Sequence, residues 1–160
     1  MFNPYHSGSS RSCVFYVSAF THHLEKLLAD DLILDGLKVV LRSSARRHQV
    51  TILGYVIMPD HLHLMIALES AERVRQFMDD LFVVSRHQLF PERTEVWRKN
   101  FRAELIFSEE EFFYRLQDIH AHPVRKAISE SPAEFTHSSA AAWLFGARDG
   151  LTDTQVNFGD

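Results

Sequence analysis

Two apolar runs separated by a two-residue turn constrain this chain more than anything else in it. Gln49–Met58 (QVTILGYVIM) and His61–Leu68 (HLHLMIAL) flank Pro59-Asp60. Runs of this composition read as strands, and Pro-Asp is turn chemistry. So short a connection joins antiparallel neighbours, and the pair reads as a hairpin. Cys13–Phe20 (CVFYVSAF) reads as a further strand and Ala103–Phe107 (AELIF) as a short one.

Helical periods fill the intervals. From His22 to Arg47, Leu24, Leu27, Leu28, Leu32, Leu34, Leu37, Val40 and Leu41 recur near helical spacing, with a break expected around Asp35-Gly36. Glu72–Leu89 carries Val74, Phe77, Met78, Leu81, Phe82 and Val84 as an apolar stripe. Pro91–Arg102 is a basic connector containing Trp97. Ser108 is a good N-cap, with Glu111 placed to complete a capping box. The helix it starts is expected to end or kink near His122, because Pro123 lacks an N–H and disfavours helical geometry before it. Another turn over 124–129 and a helix around Ala140–Phe145 complete the reading. The order β-α-β-β-α-β-α is that of an α+β, ferredoxin-like antiparallel sheet (a split βαβ) with one additional C-terminal helix. Such a scaffold hosts many functions, so function has to come from the site.

Composition sets outer bounds. The chain has 160 residues, enough for one domain, with 46% hydrophobic and 24% charged residues, which excludes a disordered chain, a collagen and a coiled coil. Residues 1–11 read as an arm, 12–146 as the domain and 147–160 as a mobile acidic tail. One cysteine, Cys13, excludes a disulfide framework and a cysteine-rich zinc site. No run approaches the roughly 18 apolar residues of a membrane span, and the first dozen residues hold no apolar secretory core. The expected compartment is the cytoplasm. Net charge is −4, which by itself disfavours a nucleic-acid partner. Yet basic residues cluster at Arg42, Arg46 and Arg47, at Arg93, Arg98, Lys99 and Arg102, and at Arg125 and Lys126. Such clusters suit a phosphate backbone, and an ordinary mixed surface explains them equally well.

The densest chemical signal is Met58-Pro59-Asp60-His61-Leu62-His63-Leu64. Residues two apart on a strand share a face, so the His61 and His63 rings lie side by side while Leu62, Leu64 and Ile66 face the other way. Paired neutral imidazoles are a natural half of a divalent-cation site. Two half-exposed strand histidines are the plainer alternative in a chain with ten. Further on, Tyr114, Asp118 and His122 fall at i, i+4 and i+8 of the third long helix. That stripe could meet the histidine pair if the helix covers the open side of the sheet. A core tyrosine beside a solvated Asp–His pair explains it as well.

The run Gly54–Ile66 (GYVIMPDHLHLMI) resembles the signature of single-tyrosine HUH transposases, named for His-hydrophobe-His. That group includes small insertion-sequence transposases and REP-associated tyrosine transposases. Trp97–Phe101, Ile119–Ala127 (IHAHPVRKA) and Pro132–Trp143 resemble the group's later blocks, so the likeness runs from about Ser12 to Gly146. It implies an enzyme that cuts and rejoins single-stranded DNA near hairpins. A tyrosine hydroxyl attacks the phosphodiester to give a 5′-phosphotyrosine and a free 3′-OH, conserving the bond energy. A divalent cation, magnesium or manganese, sits on the two histidines and a third polar residue. His61 and His63 match the metal histidines.

The match departs at two positions. The resembled block reads Tyr-Ile-x-x-Asn-Pro-Val, and here Asp118 stands at the nucleophile and His122 at the third ligand. Aspartate cannot form a phosphotyrosine. Tyr114, one turn earlier, is one replacement, although a turn moves the attachment by about 5.4 Å. A second outcome is a metal-dependent hydrolase built on His61, His63, His122 and Asp118, where the extra imidazole favours zinc. A third is a non-catalytic binder of hairpin DNA. Arg46, Arg47, Arg98, Lys99, Arg102, Arg125 and Lys126 are the candidate DNA contacts, with Trp97 either a stacking surface or a core anchor. Monomer and homodimer both remain open.

Overall fold

The computed structural model describes residues 12–156; the expected N-terminal arm lies outside them. Four strands form one antiparallel sheet: β1 (Cys13–Phe20), β2 (Thr51–Met58), β3 (His61–Leu68) and β4 (Arg102–Ile106). Their order is β2-β3-β1-β4, with β1 between β3 and β4. Each long strand is apolar on both faces because both faces are covered. Cys13, Phe15, Val17 and Ala19 join Leu62, Leu64 and Ile66 in a core beneath α1 (Asp31–Arg47) and α2 (Ala71–Leu89). Val14, Tyr16, Val56, Met58, Met65 and Ala67 form a second core with Phe112, Leu116 and Ile119 of α3 (Glu109–Arg125). The fold is α+β and ferredoxin-like, with α3 and the short α4 (Ala140–Phe145) on the face opposite α1 and α2.

The first helix begins later than its leucine spacing predicts. His22–Leu24 makes one tight turn, in which His23 and Leu24 have positive φ, and α1 starts only at Asp31. Asp30 sets that start, since its carboxylate accepts from the Leu32 and Ile33 amides. The expected break at Asp35-Gly36 is absent. Gly36 instead gives α2 its close approach, because a Cβ there would lie 2.5 Å from Leu89 Cδ2. Pro123 does not end α3 either. It is buried in the last turn, and its carbonyl accepts from the Ile128 and Ser129 amides. Only two residues of α3 follow it, so the missing N–H and the ring interrupt the ladder just where the helix ends. Ser108 caps α3 as expected by accepting from Glu111 N, while Glu111 reaches back to Phe107 N.

Two later segments cover the outer edge of β2. His137–Ser139 runs antiparallel beside Tyr55–Ile57, and Thr152 bridges Ile52. Through residue 156, then, the segment expected as a mobile tail is laid along the sheet. Asp149 organises it by accepting from the Leu151 and Thr152 amides, and Arg42 Nε donates to Gly150 O.

Candidate metal centre and nucleic-acid surface

The pleat places His61 and His63 on the α3 side of β3, where residues from the end of α3 come over them. Their ring centroids are 4.9 Å apart, and His122 lies 5.0 Å from His61 and 5.5 Å from His63. The three planes are close to mutually perpendicular, at 74°, 85° and 90°. One nitrogen from each ring falls within 4.8 Å of the others, a spacing that can hold a metal ion. The donor set fits a divalent cation, because three imidazole nitrogens converge and burial lowers His63 and His122, favouring the neutral, ligating form of those two rings.

Each ring has a supporting partner behind it. His61 Nδ1 is 2.6 Å from Asp60 Oδ1, and Phe20 stacks on the ring at 5.7 Å. His63 Nδ1 is 3.0 Å from the Tyr16 hydroxyl and 2.9 Å from Ser18 Oγ. The β1–β3 register explains this, since Ser18 lies directly opposite His63 and Phe20 opposite His61. His122 Nδ1 is 3.0 Å from Arg125 Nη2. Such outer partners fix ring orientation and tautomer. Arg115, paired with Glu104 at 2.7 Å, lies 5.0 Å over the Tyr16 ring.

Burial, then the neighbouring His61 and His122, pushes His63 down to about 3. Burial pushes His120 down to about 4 and also lowers His122. Burial raises Tyr16, and Asp118 adds to the rise. For His63 and His120 the sign is fixed by the depressed folded value. The unfolded chain takes up protons near 6.5 and the folded chain does not. Their contribution to stability is complete above that pH and is lost as pH falls toward 3–4. The metal-free protein should therefore lose up to about 1.4 kcal/mol per pH unit per ring below pH 6.5. Urea unfolding at a series of pH values checks this, and His120→Asn should flatten the slope.

The helical stripe is only partly brought together. Steps of four residues drift by about 40° around a helix. His122 therefore borders the buried face, Asp118 lies further out, and Tyr114 reaches the solvent side at 71% exposure. Asp118 Oδ1 pairs with Arg125 Nη1 at 3.1 Å. His120 turns away from the trio, and its Nε2 meets Ser139 Oγ at 2.7 Å. Tyr16, Ser18, Asp60 and Arg115 are the site neighbours that sequence reasoning did not assign. Only the strand register could have found the first two, and β3's first histidine following Asp60 the third.

The basic residues divide. Arg47 is tied to Asp80 of α2 at 2.7 Å. Arg46 is exposed at the end of α1. Arg98 lies 5.7 Å over Phe20, whose ring is stacked on His61, so it adjoins the trio. Arg98 and Lys99 line an open cleft of about 570 Å³ with Phe82 and Val83. Trp97 is a core anchor, 8% exposed, stacked on Phe82 and donating to Ser85 Oγ at 2.9 Å. Arg102 is exposed on β4, and Arg125 and Lys126 close α3.

Fold and site together define a class: a ferredoxin-like α+β protein with a three-imidazole centre, suited to a cation, under its last long helix. Residues 11–130 match the profile of the IS200-like transposases. The chain belongs to that family. No curated protein matches it by sequence. Among solved structures it is similar to a REP-associated tyrosine transposase bound to a REP hairpin, with TM-score 0.67, 15% identity, and coverage of 100% of this chain and 93% of that one. It is also similar to a candidate transposase from Deinococcus radiodurans, with TM-score 0.55, 21% identity, and coverage of 72% and 94%. Among the described residues, no helix is long and apolar enough to cross a membrane.

Proposed function

We infer that the protein binds hairpin-bearing single-stranded DNA and acts on a phosphodiester at the histidine trio, as a transposase that cleaves and rejoins a strand. The observation that carries this reading is the convergence of His61, His63 and His122 on one point beneath α3. These residues would hold a divalent cation, which supplies positive charge to phosphoryl oxygens and fixes the line of attack. Magnesium and manganese follow the family's manner, and the all-nitrogen donor set favours zinc. The neighbouring structural match bound to a REP hairpin supports hairpin DNA as the ligand. Arg98, Lys99, Arg102, Arg125 and Lys126 are exposed cations that would meet phosphates, and Arg46 and Arg47 lie at the C-terminal end of α1.

Tyr114 is the candidate nucleophile. Its oxygen would bond to phosphorus as the 3′ oxygen leaves with a proton, giving a phosphotyrosine and a 3′-OH. Tyr16 already bonds His63, but it is buried at 9% exposure and its hydroxyl holds its proton more tightly than usual. A hydrolytic reading is favoured by one observation: Tyr114 points to solvent, while Asp118 stands at the expected nucleophile position.

Labelled hairpin DNA with magnesium, manganese or zinc separates these readings. A denaturation-resistant adduct, abolished in Tyr114→Phe, is the expected result. Cleavage without an adduct identifies a hydrolase. Retarded migration without cleavage in any of the three metals leaves a DNA binder.

A further inference from the structure

The hydrogen bonds through the trio have one consistent direction. A guanidinium donates and never accepts. Arg125 Nη2, 3.0 Å from His122 Nδ1, therefore makes that nitrogen an acceptor. A neutral imidazole carries one N–H, so the His122 proton sits on Nε2. That atom lies 3.0 Å from His61 Nε2, which must accept. The His61 proton is then on Nδ1 and donates to Asp60 Oδ1. The chain of donors runs Arg125, His122, His61, Asp60.

This direction makes the three rings unequal. His61 Nε2 offers a lone pair toward the centre, with a carboxylate behind it, the arrangement of a ready ligand. His122 presents a proton from the nitrogen that faces His61, and its other nitrogen is occupied by Arg125. Arg125 is held in turn, since Nη1 meets Asp118 Oδ1 at 3.1 Å and Nη2 meets Asp118 O at 3.2 Å. The residue standing where the resembled family has its tyrosine thus anchors the guanidinium that sets the third ring.

We propose that Arg125, anchored by Asp118, is a positioning residue that keeps His122 in the non-ligating tautomer until a DNA phosphate takes its guanidinium. This rests on the reading of the trio as a cation site that acts on DNA. A phosphate is the suitable competitor, because it accepts two guanidinium N–H groups at once and carries charge that an imidazole lacks. Once Arg125 has moved, the proton on His122 Nε2 is exchanged for one on Nδ1, with no net gain or loss. The Nε2 lone pair then becomes available. Cation and DNA therefore strengthen each other's binding by the same factor. The plainer view treats Asp118–Arg125 as an exposed ion pair of small consequence, and it predicts no link between Arg125 and cation affinity.

The test uses the full chain and cobalt(II), read by its visible absorption, with and without a hairpin oligonucleotide. DNA should tighten cobalt binding to the wild type by about tenfold, within the usual range of such couplings. Arg125→Met should bind cobalt about tenfold more tightly without DNA, and DNA should add little further. Arg125→Lys, which retains a donor, should keep part of the coupling. Nitrogen NMR of the metal-free wild type should place the His122 proton on Nε2. Finding it on Nδ1 overturns the proposal, as do equal cobalt affinities in wild type and Arg125→Met. If no variant binds cobalt under either condition, the cation-site reading itself fails, and this proposal with it.

Discussion

His61→Ala should weaken divalent-cation binding by about 100-fold or more and abolish any cation-dependent DNA cleavage. The expectation follows from geometry. His61 links the members of the hydrogen-bond chain on either side of it, at 2.6 Å to Asp60 and 3.0 Å to His122. Losing an outer partner of a metal ligand typically costs 10–100-fold in affinity, so losing the ligand should cost no less. Asp60→Asn should fall in that smaller range. Retarded migration of hairpin DNA should change far less in both variants, because Arg98, Lys99, Arg102 and Lys126 are untouched. Manganese or zinc affinity by calorimetry, beside a gel-shift series, makes the comparison. Unchanged cation affinity in His61→Ala removes the trio as the site.

Gly54→Val should destabilise the fold by about 1–3 kcal/mol through overpacking and weaken cation binding as well. Gly54 lies where β2 shifts register against β3, and a Cβ there would come 2.5 Å from Leu116 Cδ1 and 3.3 Å from Ser139 Oγ. Leu116 is buried on α3, the helix that carries His122. A branched side chain at Gly54 therefore pushes α3 off the sheet and draws the third imidazole from the other two. Gly36→Ala is the control, since it presses Leu89 on the opposite face of the sheet. It should lower stability and leave cation affinity alone. Urea unfolding and cation calorimetry on both variants distinguish the two effects. If Gly54→Val is destabilised but binds cation normally, the docking of α3 does not set the site.

The three long strands are legible because each is apolar and eight residues long, and the His61/His63 side of the sheet follows from the pleat alone. His122 was legible from the later sequence block and from its spacing. What surrounds the rings was not. Ser18 and Tyr16 come to His63 through the β1–β3 register, a relation across 45 and 47 residues that no local pattern encodes. Leucine spacing continues through a segment where Asp30 offers a better cap, so spacing alone predicts too early a start for α1. The i, i+4, i+8 spacing groups Tyr114 with His122 but ignores helical drift, and two such steps turn Tyr114 by about 80° toward solvent. Trp97 sits among arginines in sequence and among core aromatics in space.

The covering of β2 by His137–Ser139 and Thr152 leaves β4, among the described residues, as the sheet's one bare margin. A second molecule seeking to extend the ribbon by backbone pairing finds a single berth, on the strand that carries Arg102 and Glu104. Two like copies meeting there would pair their β4 strands antiparallel about a twofold axis, and a chain of many copies could not propagate. Removing the residues after Gly146 would uncover part of the β2 side and lift that restriction.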